Sequence, residues 1–189
     1  MNDVAEEHPK RIDCVLVAAG KYHDIDFARL ELLKLLGEDM RFRVRVFEDY
    51  ENLEAIQAAD CIVTYTCDVV PSLAAQEVLK EWLNAGGRWY ALHGTNSILR
   101  MLDNGLWDAP RWAPAFMDLL GSQFISHPPI EPYKVTVTQP DHPLVKDVDA
   151  FETTDELYHL ETHGDLDVLM EAECEISRIY DGTMINVFY

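Results

Sequence analysis

Basic residues are scarce in this chain. Lys and Arg number 15 against 34 Asp and Glu, a formal net charge of -19 over 189 residues. Such a surface repels nucleic-acid phosphates and anionic lipid, so nucleic acid and the membrane surface are excluded as partners. Neutral sugars or metal cations fit the charge, unless the acidity serves solubility alone. Long apolar runs are missing too: none approaches the ~20 residues of a membrane span. The start, Met1-Asn2-Asp3-Val4-Ala5-Glu6-Glu7-His8, lacks the basic-then-apolar pattern of a secretory signal. The four cysteines, Cys14, Cys61, Cys67 and Cys174, form no C-x-x-C pair. A reduced, cytoplasmic protein is expected. H-E-x-x-H, P-loop and G-x-G-x-x-G motifs are absent as well, which removes zinc protease, nucleotide hydrolase and dinucleotide dehydrogenase readings.

What is present alternates between strand and helix signals. Ile12 to Gly20 is a Val/Leu-rich run without polar alternation, as expected of a central strand covered on both faces. Asp24 or Asp26 can cap the next helix, whose Phe27, Leu30, Leu33 and Leu36 are expected on its buried face. Phe42–Phe47 reads as a strand nearer the sheet edge, Leu53–Ala58 as a short helix and Cys61–Tyr65 as a strand. Pro71-Ser72 opens a helix that Gly86-Gly87 ends. Trp89-Tyr90-Ala91-Leu92 has the look of a buried strand, and His93-Gly94 marks its stop, with Thr95, Asn96 and Ser97 as helix-capping types. This order implies an α/β fold with a parallel sheet, whose ligands bind outside the carboxyl ends of the strands.

Beyond His93, Leu99, Leu102 and Leu106 are spaced to continue a helix, and Phe116–Gly121 predicts another helical stretch. Phe124 to Pro129 reads as a loop stiffened by two prolines, Tyr133–Thr138 as an alternating strand, Asp141–Leu144 as a turn and Val168–Met170 as a late strand. One domain over 1–189 is expected, with residues 1–11 a flexible tail.

Several side chains can carry chemistry. His93 sits at a strand's carboxyl end, where it faces a ligand or is bonded within its turn. His23 follows the first strand on the same rim, and His127 is placed by the prolyl loop. In an extended segment Glu156 and Tyr158 share one face, Asp155 and His159 the other. Glu156 can be a general acid/base, a metal ligand or part of a solvated acidic face. His23, His93, His127 and Glu156 together suit a divalent metal, zinc or manganese. Cys67 is a substitute nucleophile in principle. His142 reads as a turn residue, and His8, His159 and His163 as surface groups.

The run from Gly86-Gly87 to Leu92-His93-Gly94, then Phe124 through His127-Pro128-Pro129, Asp141-His142-Pro143-Leu144 and Thr154-Asp155-Glu156-Leu157-Tyr158, resembles the ThuA-like (trehalose-utilisation) family in order and spacing. The resemblance implies a flavodoxin-like sheet of the class I glutamine amidotransferase-like type, flanked by helices. It implies carbohydrate processing, on trehalose-related or keto-sugar substrates, by acid/base or metal-assisted chemistry. His93 and Glu156 would be the acid/base groups, with His23, His127, Tyr158 and Asp155 as substrate contacts. In related amidotransferases a cysteine occupies the turn that here holds His93, so glutaminase chemistry is not expected. The rival expectation is a non-catalytic sugar-binding or oligomerisation module, which would make the chain a homo-oligomer. Family members usually run on through a glycine-and-basic segment into a last strand, whereas this sequence stops at Met184-Ile185-Asn186-Val187-Phe188-Tyr189. A shortened C-terminal end is the expectation.

Overall fold

The computed structural model describes residues 9–173, 176–180 and 183–187. Of the tail expected over residues 1–11, residues 1–8, with His8, lie outside the described residues, as does Cys174. The chain packs as two compact units, Met1–Leu120 and Gly121–Tyr189.

In the first unit the elements run β1 (Ile12–Gly20), α1 (Ile25–Gly37), β2 (Phe42–Phe47), α2 (Leu53–Gln57), β3 (Cys61–Cys67), α3 (Leu73–Asn84) and β4 (Arg88–Leu92). A 3₁₀ turn (His93–Asn96), two-residue strands β5 (Arg100–Met101) and β6 (Trp107–Asp108), and α4 (Pro114–Leu120) complete it. β2, β1, β3 and β4 form a parallel sheet in that order. Chain order therefore reverses between β1 and β3, which makes their carboxyl ends the topological switch point.

Alternation along β1 sends Val15 and Val17 into a core with Tyr50, Ile56, Ile62, Leu79, Trp82 and Phe116. Cys14, Leu16 and Ala18 face the opposite way, toward Val63 and the α1 residues Ile25, Leu32, Leu33 and Leu36. The stripe expected on α1 is corrected here: Phe27 and Leu30 are exposed. Residues three apart on a 3.6-residue helix drift by about 60° per step, so Phe27 and Leu36 end on opposite sides. The packed set, 25, 32, 33 and 36, keeps the true period. Asp24 is the N-cap, accepting from the Phe27 amide at 2.9 Å, a contact typically worth ~1 kcal/mol.

Helix α3 ends as its glycines predict. Gly86 has φ 93°; its amide donates to the Leu83 carbonyl and that of Gly87 to Trp82, the paired bonds of a Schellman cap. Gly87 is also the only size that fits, since a Cβ there would lie 2.3 Å from the Trp82 ring. β4 itself is not the buried strand its aromatics suggest. Among the described strands it pairs only with β3, and Tyr90 is 60% exposed. An edge strand shields one side less than a central one, and Trp89 and Leu92 alone turn inward.

No helix follows the 3₁₀ turn. Leu102 and Leu106 instead flank the turn of a small antiparallel hairpin, which Leu99 precedes. Asn104 accepts from the Leu106 amide and Gly105 adopts φ 79°, so the Asn-Gly turn overrides the leucine spacing.

The burial of Tyr50 gives a pH prediction. Its hydroxyl lies 3.2 Å from Thr66 Oγ1, and burial pushes the phenol up to about 12, against ~10 in an unfolded chain. Its stabilisation is therefore complete below pH ~10 and lost as pH rises through about 12. Chemical denaturation should show wild type losing ~2–3 kcal/mol relative to Tyr50→Phe over that window, with a constant difference below it. A parallel decline of both proteins would assign the alkaline loss to other groups.

The second unit is antiparallel. β7 (Ser122–Ser126) pairs with β10 (His159–Thr162), and β8 (Glu131–Val137) lies between β9 (Phe151–Asp155) and β11 (Met170–Ala172). β12 (Ile176–Tyr180) and β13 (Thr183–Val187) form a hairpin. Phe124–Ser126, expected in a loop, are thus in a strand, which ends at Ser126, just before the His127 that Pro128 restricts, because Pro restricts its own position and the one before it. The late strand starts at Met170 rather than Val168, whose carbonyl instead accepts from the Gln139 side chain at 3.1 Å.

Candidate functional site

Among the described residues, three without the freedom of glycine have positive φ, namely Tyr22 (71°), Asp68 (59°) and His93 (48°). They follow the carboxyl ends of β1, β3 and β4 respectively. Left-handed backbone costs an L-residue ~1–2 kcal/mol, and such strain collects where a fold aims side chains at a ligand.

The turn that carries His93 is tightly built. Thr95 donates to the Leu92 carbonyl at 2.8 Å, and its oxygen lies 3.2 Å from Thr64 Oγ1 on β3. Gly94 packs against β3 so closely that a Cβ would sit 2.9 Å from the Thr66 carbonyl oxygen. His93 is left stacked on Tyr65, ring centroids 5.6 Å apart. Its Nε2 meets His23 Nε2 at 2.8 Å. At that distance one imidazole donates and the other accepts, so the pair holds one proton between two nitrogens. A zinc ion bound tetrahedrally by both would place them about 3.3 Å apart, given Zn–N bonds of ~2.0–2.1 Å. A shared proton fits the spacing as it stands, whereas zinc would require the rings to part by about 0.5 Å.

The loop carrying His23 is tied to the end of β3. The Lys21 amide donates to the Cys67 carbonyl at 3.1 Å, and Lys21 Nζ reaches Asp68 Oδ2 at 2.6 Å. Asp68 in turn accepts from the Leu99 amide at 3.2 Å. Sequence reading passed over Lys21, Tyr65 and Asp68; only their positions after or at the end of strands mark them.

In the second unit, His127, Glu156 and Tyr158 lie together. Two separate contacts fix His127: Nδ1 donates to the Pro128 carbonyl at 2.7 Å, and Nε2 faces Glu156 Oε1 at 3.7 Å. The Tyr158 ring stacks over His127 and meets Phe124 edge-on, centroids 6.5 and 4.5 Å away. Glu156 and Tyr158 thus share one partner, as an extended segment would have it, although β9 ends at Asp155. Asp155 is exposed, and its Oδ1 accepts the Glu156 amide at 2.8 Å. His159 and His163 are half-buried rather than on the surface: His159 lies 3.3 Å from Ser126 Oγ, and His163 faces Glu161 at 3.7 Å. His142 is a turn residue, accepting from the Leu144 amide.

A family model described as "ThuA: Trehalose utilisation" matches residues 14–184. The chain belongs to the ThuA family. Among curated proteins none matches it. Two solved structures do, both of ThuA-like proteins. That from Parabacteroides merdae is 16% identical, with 87% of this chain and 69% of that chain covered at a TM-score of 0.68. That from Bacteroides uniformis is 19% identical, with 85% and 67% covered at a TM-score of 0.65. They show the fold: the ThuA chain is an α/β protein with a central parallel sheet and flanking helices. No described helix is long and apolar enough to cross a membrane.

Cys67, at the end of β3, is not placed to act as a nucleophile. Cys67 is fully buried, with Sγ 3.3 Å from the point a Gly94 Cβ would occupy. The native protein should release no ammonia from glutamine, and iodoacetamide should label Cys67 only after unfolding. Rapid native labelling at Cys67, with ammonia release abolished by Cys67→Ala, would reinstate a thiol mechanism.

Proposed function

We propose that this ThuA-family chain binds and converts a neutral sugar or keto-sugar related to trehalose. His93 and Glu156 act as acid/base groups, and His23, His127, Tyr158 and Asp155 contact the substrate. The observation that carries the reading is the strained His93 turn, whose Nε2 lies 2.8 Å from that of His23 at the switch point of the sheet. A keto group acidifies its neighbouring C–H. One imidazole can take that proton while a protonated group gives one to the keto oxygen, which is the work of paired general acids and bases. The net charge of -19 disfavours anionic substrates, and hydroxyl-rich ligands suit carboxylates with aromatic neighbours such as Glu156 and Tyr158. The same two nitrogens, with His127 and Glu156 as further donors, are the candidates for zinc or manganese. Metal analysis of tag-free protein decides this: the reading expects no stoichiometric ion and no effect of chelator, and a bound ion that supports turnover would replace the shared proton.

The test is a panel of disaccharides, monosaccharides and their keto derivatives, followed by NMR for both binding and product. Glu156→Gln should keep the wild-type melting temperature and bind with similar affinity while turnover falls ~10²–10⁴-fold. Binding without conversion of any panel member, weakened by Glu156→Gln, would make the chain a sugar-binding module. Absence of binding across the panel would end the sugar reading.

A further inference from the structure

Cys14 and Cys61 face each other between the two inner strands of the parallel sheet. Cys14 on β1 is the direct register partner of Cys61 on β3. Directly opposite residues of neighbouring strands put their side chains on the same face, and both cysteines pack in the core that these strands share with α1. Neither is in a disulfide, and the two thiols are hydrogen-bonded to each other. Exposure separates them. Cys14 is sealed at 0%, whereas Cys61, the first residue of β3, is partly open to solvent. The same ladder sets Cys67 opposite Gly20 instead.

The spacing suits a bond that forms and breaks. Neighbouring strands lie ~4.7–4.9 Å apart, inside the ~4.4–6.8 Å of Cα separation that a disulfide spans. Opposed Cβ atoms of a parallel pair run side by side, however, and a disulfide draws them to ~3.5–4.5 Å. The strands must pinch together slightly, and strain of that kind makes a disulfide easier to reduce. The chemistry divides between the two sulfurs. The hydrogen bond from Cys14 holds the Cys61 thiol below its ordinary range, against burial and Asp60 and with help from Arg88. The same contact, with burial, pushes the Cys14 thiol up. Cys61 is therefore the sulfur that a solute can reach and the one that ionises first, while Cys14 keeps its proton.

We propose that Cys14 and Cys61 form an oxidation site, a dithiol that a hydroperoxide closes to a disulfide and a small thiol reopens. The Cys61 sulfur attacks a peroxide oxygen, the O–O bond breaks, and water or an alcohol leaves, so that Cys61 becomes a sulfenic acid. The Cys14 sulfur then attacks the Cys61 sulfur. The S–O bond breaks, and the hydroxyl departs as water with the Cys14 proton. Two thiols lose two electrons in all, and the peroxide gains them. The cross-link ties β1 to β3 near their amino ends, whereas His23 and His93 follow the carboxyl ends of their strands. The proposal is therefore independent of the sugar reading.

The experiment treats the full chain with hydrogen peroxide and maps it by mass after trypsin and chymotrypsin. Chymotrypsin cuts at Tyr65 and so separates Cys61 from Cys67. The intact protein should lose the mass of a hydrogen pair, yield a linked peptide carrying Cys14 and Cys61, and return to its starting mass with dithiothreitol. Iodoacetamide should label Cys61 in the native reduced protein and fail to label it after peroxide. Cys61→Ser should give none of the linked peptide, and Cys14→Ala should instead hold Cys61 as a sulfenic acid that dimedone traps. The wild-type map decides even where a cysteine variant does not fold. Cys61 recovered as sulfinic acid beside a reduced Cys14, a link to another cysteine or between two chains, or no change at peroxide levels that oxidise glutathione would each overturn the proposal.

Discussion

Gly20→Ala should unfold a large fraction of the molecules, at an expected loss of ~3–5 kcal/mol. Two independent effects add. Gly20 ends β1 with φ 116°, a region that side chains rarely enter. A Cβ there would also lie 2.0 Å from the Cys67 carbonyl oxygen and 2.8 Å from its nitrogen. Both atoms are backbone of the neighbouring central strand, so neither can yield without pulling β1 and β3 apart. Typical domains have only ~5–15 kcal/mol of stability in total. Gly37→Ala is the control, because nothing lies within 4 Å of its added Cβ and alanine favours a helix by up to ~1 kcal/mol. Urea denaturation of the two variants should give opposite signs; equal midpoints would mean that β1 and β3 can separate at little cost.

The second large effect is on activity. His93→Asn should lower turnover ~10²–10⁴-fold without lowering the melting temperature appreciably, because Asn tolerates left-handed backbone better than most residues. His93→Gly should lose activity equally and be at least as stable as wild type. Relief of ~1–2 kcal/mol of backbone strain offsets the lost bond to His23 and the stacking on Tyr65. Such an outcome would mean that the histidine is kept at that φ for chemistry. If both variants unfold, His93 is a structural residue of its turn.

Local signals carried much of this fold because backbone chemistry dictated them. Gly86-Gly87 could end α3 only by a left-handed cap, and the unbroken apolar run of β1 could be satisfied only between two covered faces. Where the reading failed, tertiary context decided. The aromatics of Trp89-Tyr90 fit a buried strand, but an edge position leaves Tyr90 outside. The leucines after His93 fit a helix until Asn104-Gly105 turned the chain. Of the candidate site, strand-end position found His93 and His23, and family motif order found His127, Glu156 and Tyr158. The Cys14–Cys61 pair was illegible, since only the register of β1 against β3 brings the two together. The Lys21–Asp68 tie, 47 residues apart, was hidden for the same reason.

The central claim is that a sugar is bound where β1, β3 and β4 end. A ¹⁵N-labelled sample titrated with trehalose and with its keto derivative tests it most directly. The account predicts saturable shifts at Gly20, His23, Asp68, His93 and Gly94, all lost or displaced to higher concentration in His93→Asn. Saturable binding that leaves those five signals unmoved, or no binding of either sugar, would contradict it.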